Sequence, residues 1–413
     1  MNKALYGIHS SGLCWHEKLA DSLRNMGFMA TKAEDDIWMR RNGEIYKYIA
    51  SYVDYLCMVA KDPMKIIKHL ENHHQYKLKG TGPINYHLGC DYYIDPYGDL
   101  AYAPKKYIEK LILEYVNMYG VKPKQYSSSL ESGNHPKLDI SEELDPKDTK
   151  KNQSMIGSLQ WAISLGRFDK CTAVMTLSSF QASPRIGHLK RAQQIYAYLA
   201  KFNDSASRIR TEQPDYSKII VKDYDWEKTL HGKVEELIPD DVPIPLGQKV
   251  MLTTYVDANL YHDMITGRLV SGILHLINKT PFERFSKKQS TSETATYGSE
   301  YNAAQIAVDH IVNHRNMLRY MGVPIKKVTY LFGDNRSVVD SSNIPHAKLH
   351  KKHNALSFHR VREIIASKIL DFIYIPGQIN PADILSKHWG YQQVKDTIEA
   401  LLFHKGDTSE LFN

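Results

Sequence analysis

From residue 248 onward the apolar residues change period, from strand-like runs to helical spacing and back, and few folds accept that order. Val250 to Val256 is rich in β-branched and aromatic residues and ends at Asp257. Leu269 to Ile277 and Phe282 to Lys288 read as two further strands, and Ala295 to Tyr320 as a long helix stopped by Gly322. Val328 to Phe332 predicts a strand ending at Gly333-Asp334, Leu356 to Ser367 a helix, Ile369 to Ile375 a strand, and Pro381 to His388 a short final helix. Three strands, then helix, strand, helices, strand and helix predict an α/β layer: a mixed five-stranded sheet covered by helices.

Upstream, Trp38 to Arg41 and Ile45 to Ala50 read as strands flanking an Asn42-Gly43 hairpin turn. The apolar run from Ile49 to Ala60 is broken by Tyr52-Val53-Asp54-Tyr55, and Asp62-Pro63 opens a helix whose stripe is Ile66, Ile67 and Leu70. Residues 121–150, rich in Ser, Lys, Pro and acids, read as a linker; Met155, Leu159, Ala162 and Ile163, then Ala192, Ile195 and Leu199, recur at helical spacing across 151–202. A chain of 413 residues is too long for one ordinary domain, and the polar, Pro-containing stretch 203–247 supplies a second boundary. The organisation expected is therefore α/β and α+β multidomain: 1–120, a linker over 121–150, a helical region over 151–247, the α/β layer over 248–390, and a tail over 391–413.

Four cysteines, Cys14, Cys57, Cys90 and Cys171, form no Cys-x-x-Cys pair, so neither a disulfide framework nor a structural zinc site is expected. With no signal-peptide core after Met1 and no apolar run long enough to cross a membrane, an intracellular location, cytoplasmic or nuclear, is expected. The net charge of +7 suits a polyanionic partner weakly, since such a balance is often a solvated surface.

Four carboxylates stand at informative points of the last layer. Asp257 ends the first strand, Asp334 lies immediately after the fourth, and Asp383 begins the final helix. Glu300 lies in the long helix, where steps of 4, 7 and 11 reach Ala304, Ala307 and Ile311, the stripe that should face the sheet. A buried acid must be paired, protonated or bound to a cation. Taken singly, Asp257, Asp334 and Asp383 each also fit a turn former or helix cap; together in this order the four favour a site. Clustered carboxylates repel unless a divalent cation compensates, and all-oxygen ligands select Mg²⁺ or Mn²⁺.

Several segments resemble copia-type LTR-retrotransposon polyproteins in the family's order and with similar spacing. Tyr255-Val256-Asp257-Ala258, Thr266-Gly267-Arg268, Ser271-Gly272 and Ser286-Lys287-Lys288-Gln289 resemble the opening of copia-type RNase H domains. So do Glu300-Tyr301 with Ala303, Gly333-Asp334-Asn335, Lys352-His353, Phe358-His359 with Arg362-Glu363, and Ala382-Asp383-Ile384-Leu385-Ser386-Lys387. The resemblance implies an RNase H-like fold, with Asp257, Glu300, Asp334 and Asp383 as catalytic and metal-holding acids and an RNA–DNA hybrid as substrate. Glu300 is then expected near the ribose 2′-OH, and Asn335 to add a hydrogen bond to the hybrid. One departure stands out: the loop Pro376-Gly377-Gln378-Ile379-Asn380 lacks the histidine that cellular RNases H carry before the last acid, which leaves that role unassigned unless geometry brings His353 or His359 to it.

The upstream half resembles the end of the matching reverse transcriptase, a partial palm. Lys3-Ala4-Leu5-Tyr6-Gly7-Ile8, Trp15 and His87-Leu88-Gly89 match it, and Tyr52-Val53-Asp54-Tyr55 takes the place of the family's Tyr-x-Asp-Asp hairpin. Tyr55 replaces the second acid, and the segment expected to supply an earlier one does not precede it, so Asp54 is expected to mark a polymerase remnant unable to extend a primer. Gln153 to Leu159 and Arg167-Phe168-Asp169 resemble the helical connection between the two enzymes. Within 343–368, six Lys/Arg face one acid, Glu363, and Lys351, Lys352 and Arg360 are expected to meet phosphates, an ordinary solvated helix being nearly as good a reading. The histidines of that stretch match no standard zinc set. The resemblance thus implies a metal-dependent nuclease for RNA–DNA hybrids, alongside other polyprotein products. A non-catalytic nucleic-acid-binding relic and a fragment of an active polymerase stay open.

Overall fold

The computed structural model describes residues 11–130, 133–260, 267–292, 295–349 and 352–402. Lys3 to Ile8, Thr266 and Lys351 lie outside them. Contacts divide the chain into two units that interleave in sequence. One comprises Met1–His87, Leu237–Val250 and Val312–Ile325, the other Leu88–Glu236, Met251–Ile311 and Lys326–Asn413.

The first unit opens with helix α1 (Ser11–Asn25), followed by strands β1 (Met29–Ala30), β2 (Ile37–Asn42), β3 (Ile45–Tyr52) and β4 (Tyr55–Val59), helix α2 (Pro63–His74) and a short strand β5 (Tyr86–His87). β1 to β4 form an antiparallel sheet in chain order. The first hairpin turn falls one residue later than the sequence predicts. Asn42 still pairs with Ile45, and the turn is Gly43-Glu44, because Gly43 is the residue that adopts the positive φ of +64°. The break at 52–55 is a second tight hairpin with Tyr52 opposite Tyr55. Asp62 caps α2 by accepting from the Lys65 backbone N–H, with Pro63 in the first turn. Ile66 and Leu70 join Leu19, Leu23, Trp38 and Ile49 in the core.

In the second unit, strands β6 (Cys90–Ile94), β7 (Leu100–Ala103) and β8 (Ser207–Ile209) pair antiparallel. Helices α3 (Lys105–Tyr119), α4 (Pro146–Ser164), α5 (Cys171–Ser178) and α6 (Ile186–Lys201) enclose a core that includes Met155, Ile156, Leu159, Ala192 and Ile195. The expected linker is packed in part: Leu130 and Pro136 are buried, a 3₁₀ turn spans Pro136–Leu138, and α4 begins inside it.

The five-stranded sheet follows. β9 (Leu252–Asn259), β10 (Arg268–Ile277) and β11 (Thr280–Ser292) run antiparallel, β12 (Thr329–Gly333) and β13 (Leu370–Tyr374) are parallel, and the spatial order is β11-β10-β9-β12-β13. This is the mixed sheet expected of an RNase H-like fold. Helices α7 (Thr296–Tyr320), α8 (Arg336–Asn343) and α9 (Ala355–Ala366) alternate with its strands as the sequence predicts. Two elements near the end differ. The expected helix at 381–388 is a 3₁₀ turn, Pro381–Leu385, and the expected tail carries helix α10 (Tyr391–Leu401), whose Ile398 and Leu401 enter the core with Leu385 and Phe332.

Candidate active site

Each of the four acids is placed by a different element. Asp257 sits two residues inside the end of β9, not at its terminus, directly across from Gly272 of β10. Parallel pairing of Gly333 with Val256 brings Asp334, the next residue, alongside. Glu300 projects from the first turns of α7, and Ala304, Ala307 and Ile311 are buried, as the helical spacing predicts. Carboxylate oxygens of Asp257, Glu300 and Asp334 all lie within 4.8 Å of one another.

Asp383 reaches the group through the 3₁₀ turn. Asn380 anchors that turn by donating to the Val256 carbonyl at 2.9 Å and accepting from the Ala382 N–H at 3.1 Å. Thr172 of α5 supports it from outside, donating to the Ile384 carbonyl at 2.9 Å. The turn crosses β10 so closely that a Cβ on Gly272 would meet the Ala382 carbonyl oxygen at 2.7 Å; only a residue without one fits there.

Two residues of the segment 382–387, neither assigned a role from sequence, complete the arrangement. Lys387 bridges Asp257 at 3.0 Å and Asp383 at 2.8 Å, and the Ser386 hydroxyl donates to the other oxygen of Asp257. Asp383 and Lys387 are four residues apart, a spacing that hints at a pair, but only the folded turn reveals the shared bond to Asp257.

Asp257 is 1% exposed, Glu300 and Asp383 each 8%. Burial, then the charges of Asp257 and Asp334, pushes the Glu300 carboxyl well above its ordinary range. Burial and the Asp257 charge raise Asp334 likewise, and the same two causes push Asp383 up to about 7. Three carboxylates at close range, two of them, Glu300 and Asp334, with raised proton affinity, are what a site for a hard divalent cation looks like when its own side chains do not supply enough positive charge. The donor set is all oxygen, and it fits Mg²⁺ or Mn²⁺.

A second buried acid in the same unit behaves in the opposite way. Asp169 accepts from Arg167 Nε at 3.2 Å and Nη2 at 2.8 Å and from the Tyr198 hydroxyl at 2.8 Å, with the Lys170 amine 3.6 Å away. Burial alone would raise its pKa, yet Arg167 and Lys170 hold it well below the usual carboxylate range.

The remaining predicted residues fall elsewhere. Asn335 caps α8, its side chain accepting from the Val338 N–H at 3.2 Å. Arg360 is engaged by Asp309 at 2.9 Å and Glu363 at 3.0 Å, whereas Lys352 is exposed. Asp54 is exposed in the 52–55 hairpin, and among the described residues no group of three candidate metal ligands includes it. The His359 ring lies 5.8 Å from that of His231.

Residues 1–127 match the family described as reverse transcriptase (RNA-dependent DNA polymerase). Over 94% of its length the chain is similar to retrovirus-related Pol polyproteins, 23% identical both to that of transposon RE1 from Arabidopsis thaliana and to that of transposon TNT 1-94 from Nicotiana tabacum. It spans only about a quarter of those relatives, 24% and 27% of their lengths. Among solved structures, RNase H1 from the archaeon Halobacterium salinarum aligns with 33% of this chain and 94% of its own at 13% identity and a TM-score of 0.27. The chain is thus a relative of copia-type transposon Pol polyproteins, as the resemblance in its segments implies.

Proposed function

We propose that this chain hydrolyses the RNA strand of RNA–DNA hybrids, with Asp257, Glu300, Asp334 and Asp383 holding Mg²⁺ or Mn²⁺. The observation that carries the reading is the convergence of Asp257, Glu300 and Asp334 oxygens within 4.8 Å, the first two buried and Asp334 partly so. When bound, the cation supplies positive charge to the phosphate oxygens and favours attack by water on the phosphodiester. The protein's own part is orientation. β9 and β12 fix two acids in register, α7 brings Glu300 from the covering layer, and the Asn380-anchored turn brings Asp383. Glu300 is the acid we assign to contact with the ribose 2′-OH, the group that separates RNA from DNA.

The polymerase-like half is proposed not to extend a primer. In its hairpin Asp54 is an exposed acid followed by Tyr55, where the resemblance leads one to expect a second acid. The test of the whole reading uses the purified full chain with a labelled hybrid. Cleavage of the RNA strand in Mg²⁺ or Mn²⁺, none in EDTA, and none of duplex DNA is expected. Binding of hybrid without cleavage in either metal would make the protein a nucleic-acid-binding relic, and robust primer extension would make the hairpin an active site.

A further inference from the structure

We infer that Lys387 is a tethered counter-ion that fills the Asp257–Asp383 edge of the carboxylate site, so that a second divalent cation enters only when this side chain swings out. The inference rests on the nuclease reading above and concerns how that site loads.

The four acids do not form one symmetrical bowl. Asp257, Glu300 and Asp334 face one another, and Lys387, bonded within this trio to Asp257, also acts on the other two through its charge. Asp257 and Asp383 share the Lys387 ammonium at 3.0 and 2.8 Å. The second oxygen of Asp257 is taken by the Ser386 hydroxyl. A divalent ion in the first group gains three carboxylates without displacing the Asp383 contact. An ion between Asp257 and Asp383 must first remove a +1 charge that already sits at bonding distance from both.

The side chain is suited to leaving. The Lys387 side chain is 28% exposed, against 2% for the side chain of Asp257 and 11% for that of Asp383, so its four-carbon stem has a route to solvent that the acids lack. An ammonium makes non-directional contacts through a flexible stem, unlike the fixed fork of a guanidinium, and can be exchanged without moving backbone. While in place it also offsets repulsion between Asp257 and Asp383 in the metal-free protein.

Two measurements on the full chain test this. In Mn²⁺ titrations followed by calorimetry, the wild type should bind one ion, and a second at least tenfold more weakly. Lys387→Met should narrow that gap about tenfold by tightening the second site. The second readout needs no variant: in the wild type, acylation of Lys387 by an amine-reactive reagent, read by mass spectrometry, should be slow in EDTA and at least fivefold faster in excess Mn²⁺. Second-site binding that is unchanged or weaker in Lys387→Met, or labelling that does not rise with Mn²⁺, overturns the inference. It leaves the nuclease reading standing if the wild type binds Mn²⁺ and Asp257→Asn abolishes that binding. Wild-type protein that binds no Mn²⁺ overturns both.

Discussion

The second unit buries two acidic centres, and they are opposites. Asp169 is surrounded by Arg167, Lys170 and Tyr198 and is held ionised, whereas Glu300, Asp334 and Asp383 lie among other acids and are pushed toward protonation. Asp169 and Glu300 are about equally deep, at 7% and 8% exposed, so depth alone does not distinguish the two kinds of acid. What differs is whether the protein completes the charge balance itself. Asp169 is neutralised from within and serves to join helices; the other group is left short of positive charge, and this is the place of the cation we propose.

The largest expected effect separates the two centres by activity. Asp257→Asn and Asp334→Asn should each lower hybrid cleavage about a thousandfold or more, roughly 4 kcal/mol of transition-state stabilisation, with the metal-free melting temperature unchanged or higher. Asp383→Asn should be milder, about tenfold to a hundredfold. Asp169→Asn should do the reverse, costing about 3–5 kcal/mol of stability because it leaves Arg167 and Lys170 buried without their carboxylate. Thermal denaturation of the two variants side by side breaks the comparison if Asp257→Asn proves the less stable.

Next in size is a pH effect of opposite sign at the two centres. Glu300, Asp334 and Asp383 have folded pKa values raised above their unfolded ones, so the folded state binds more protons. Their contribution to stability is full below about pH 4 and is lost as pH rises, for Asp383 through about 7. The melting temperature of protein in EDTA should therefore fall between pH 5 and pH 8, and Mn²⁺ should flatten that fall. Asp169, whose folded pKa is depressed, contributes stability that is present above its ordinary value of 3.8 and lost only below it. A metal-free melting temperature that rises from pH 5 to 8 would contradict the assignment of the first group.

How much of this contrast was legible in the sequence follows from what each feature depends on. The acid on the apolar stripe of α7 was legible, because helical spacing alone sets Glu300 in line with Ala304, Ala307 and Ile311. The positions of Asp257 and Asp334 at strand ends were legible, but the parallel pairing of β9 with β12 that sets them side by side joins strands that are not consecutive in the chain and appears only in the fold. Lys387 was quoted but given no role, since its bond to Asp257 spans 130 positions. The hairpin turn slipped by one residue because both Asn42 and Gly43 favour turns, and only the strand register decides between them. Helix α10 was legible and overlooked: Val394, Ile398, Leu401 and Leu402 recur at helical spacing in the stretch taken for a tail.

The smallest expected effect concerns the basic stretch. Arg360 is committed to Asp309 and Glu363, so Arg360→Ala should change the salt dependence of hybrid binding less than Lys352→Ala does. Fluorescence anisotropy at several salt concentrations gives the slopes; equal slopes for wild type and Lys352→Ala would assign this stretch to the solvated surface.

The missing side chain at Gly272 makes the site's geometry depend on the width of a methyl group. The strand carrying it acts as a template onto which the 380–387 turn is pressed, and the clearance is set where the Ala382 carbonyl and the Leu385-Ser386 backbone approach the glycine. Any larger residue there would lift the turn, carrying Asp383, Ser386 and Lys387 away from Asp257 together, with every acid still present in the chain. An inactive form of this protein therefore need not lack a single carboxylate, and an inventory of motif residues would score it as intact.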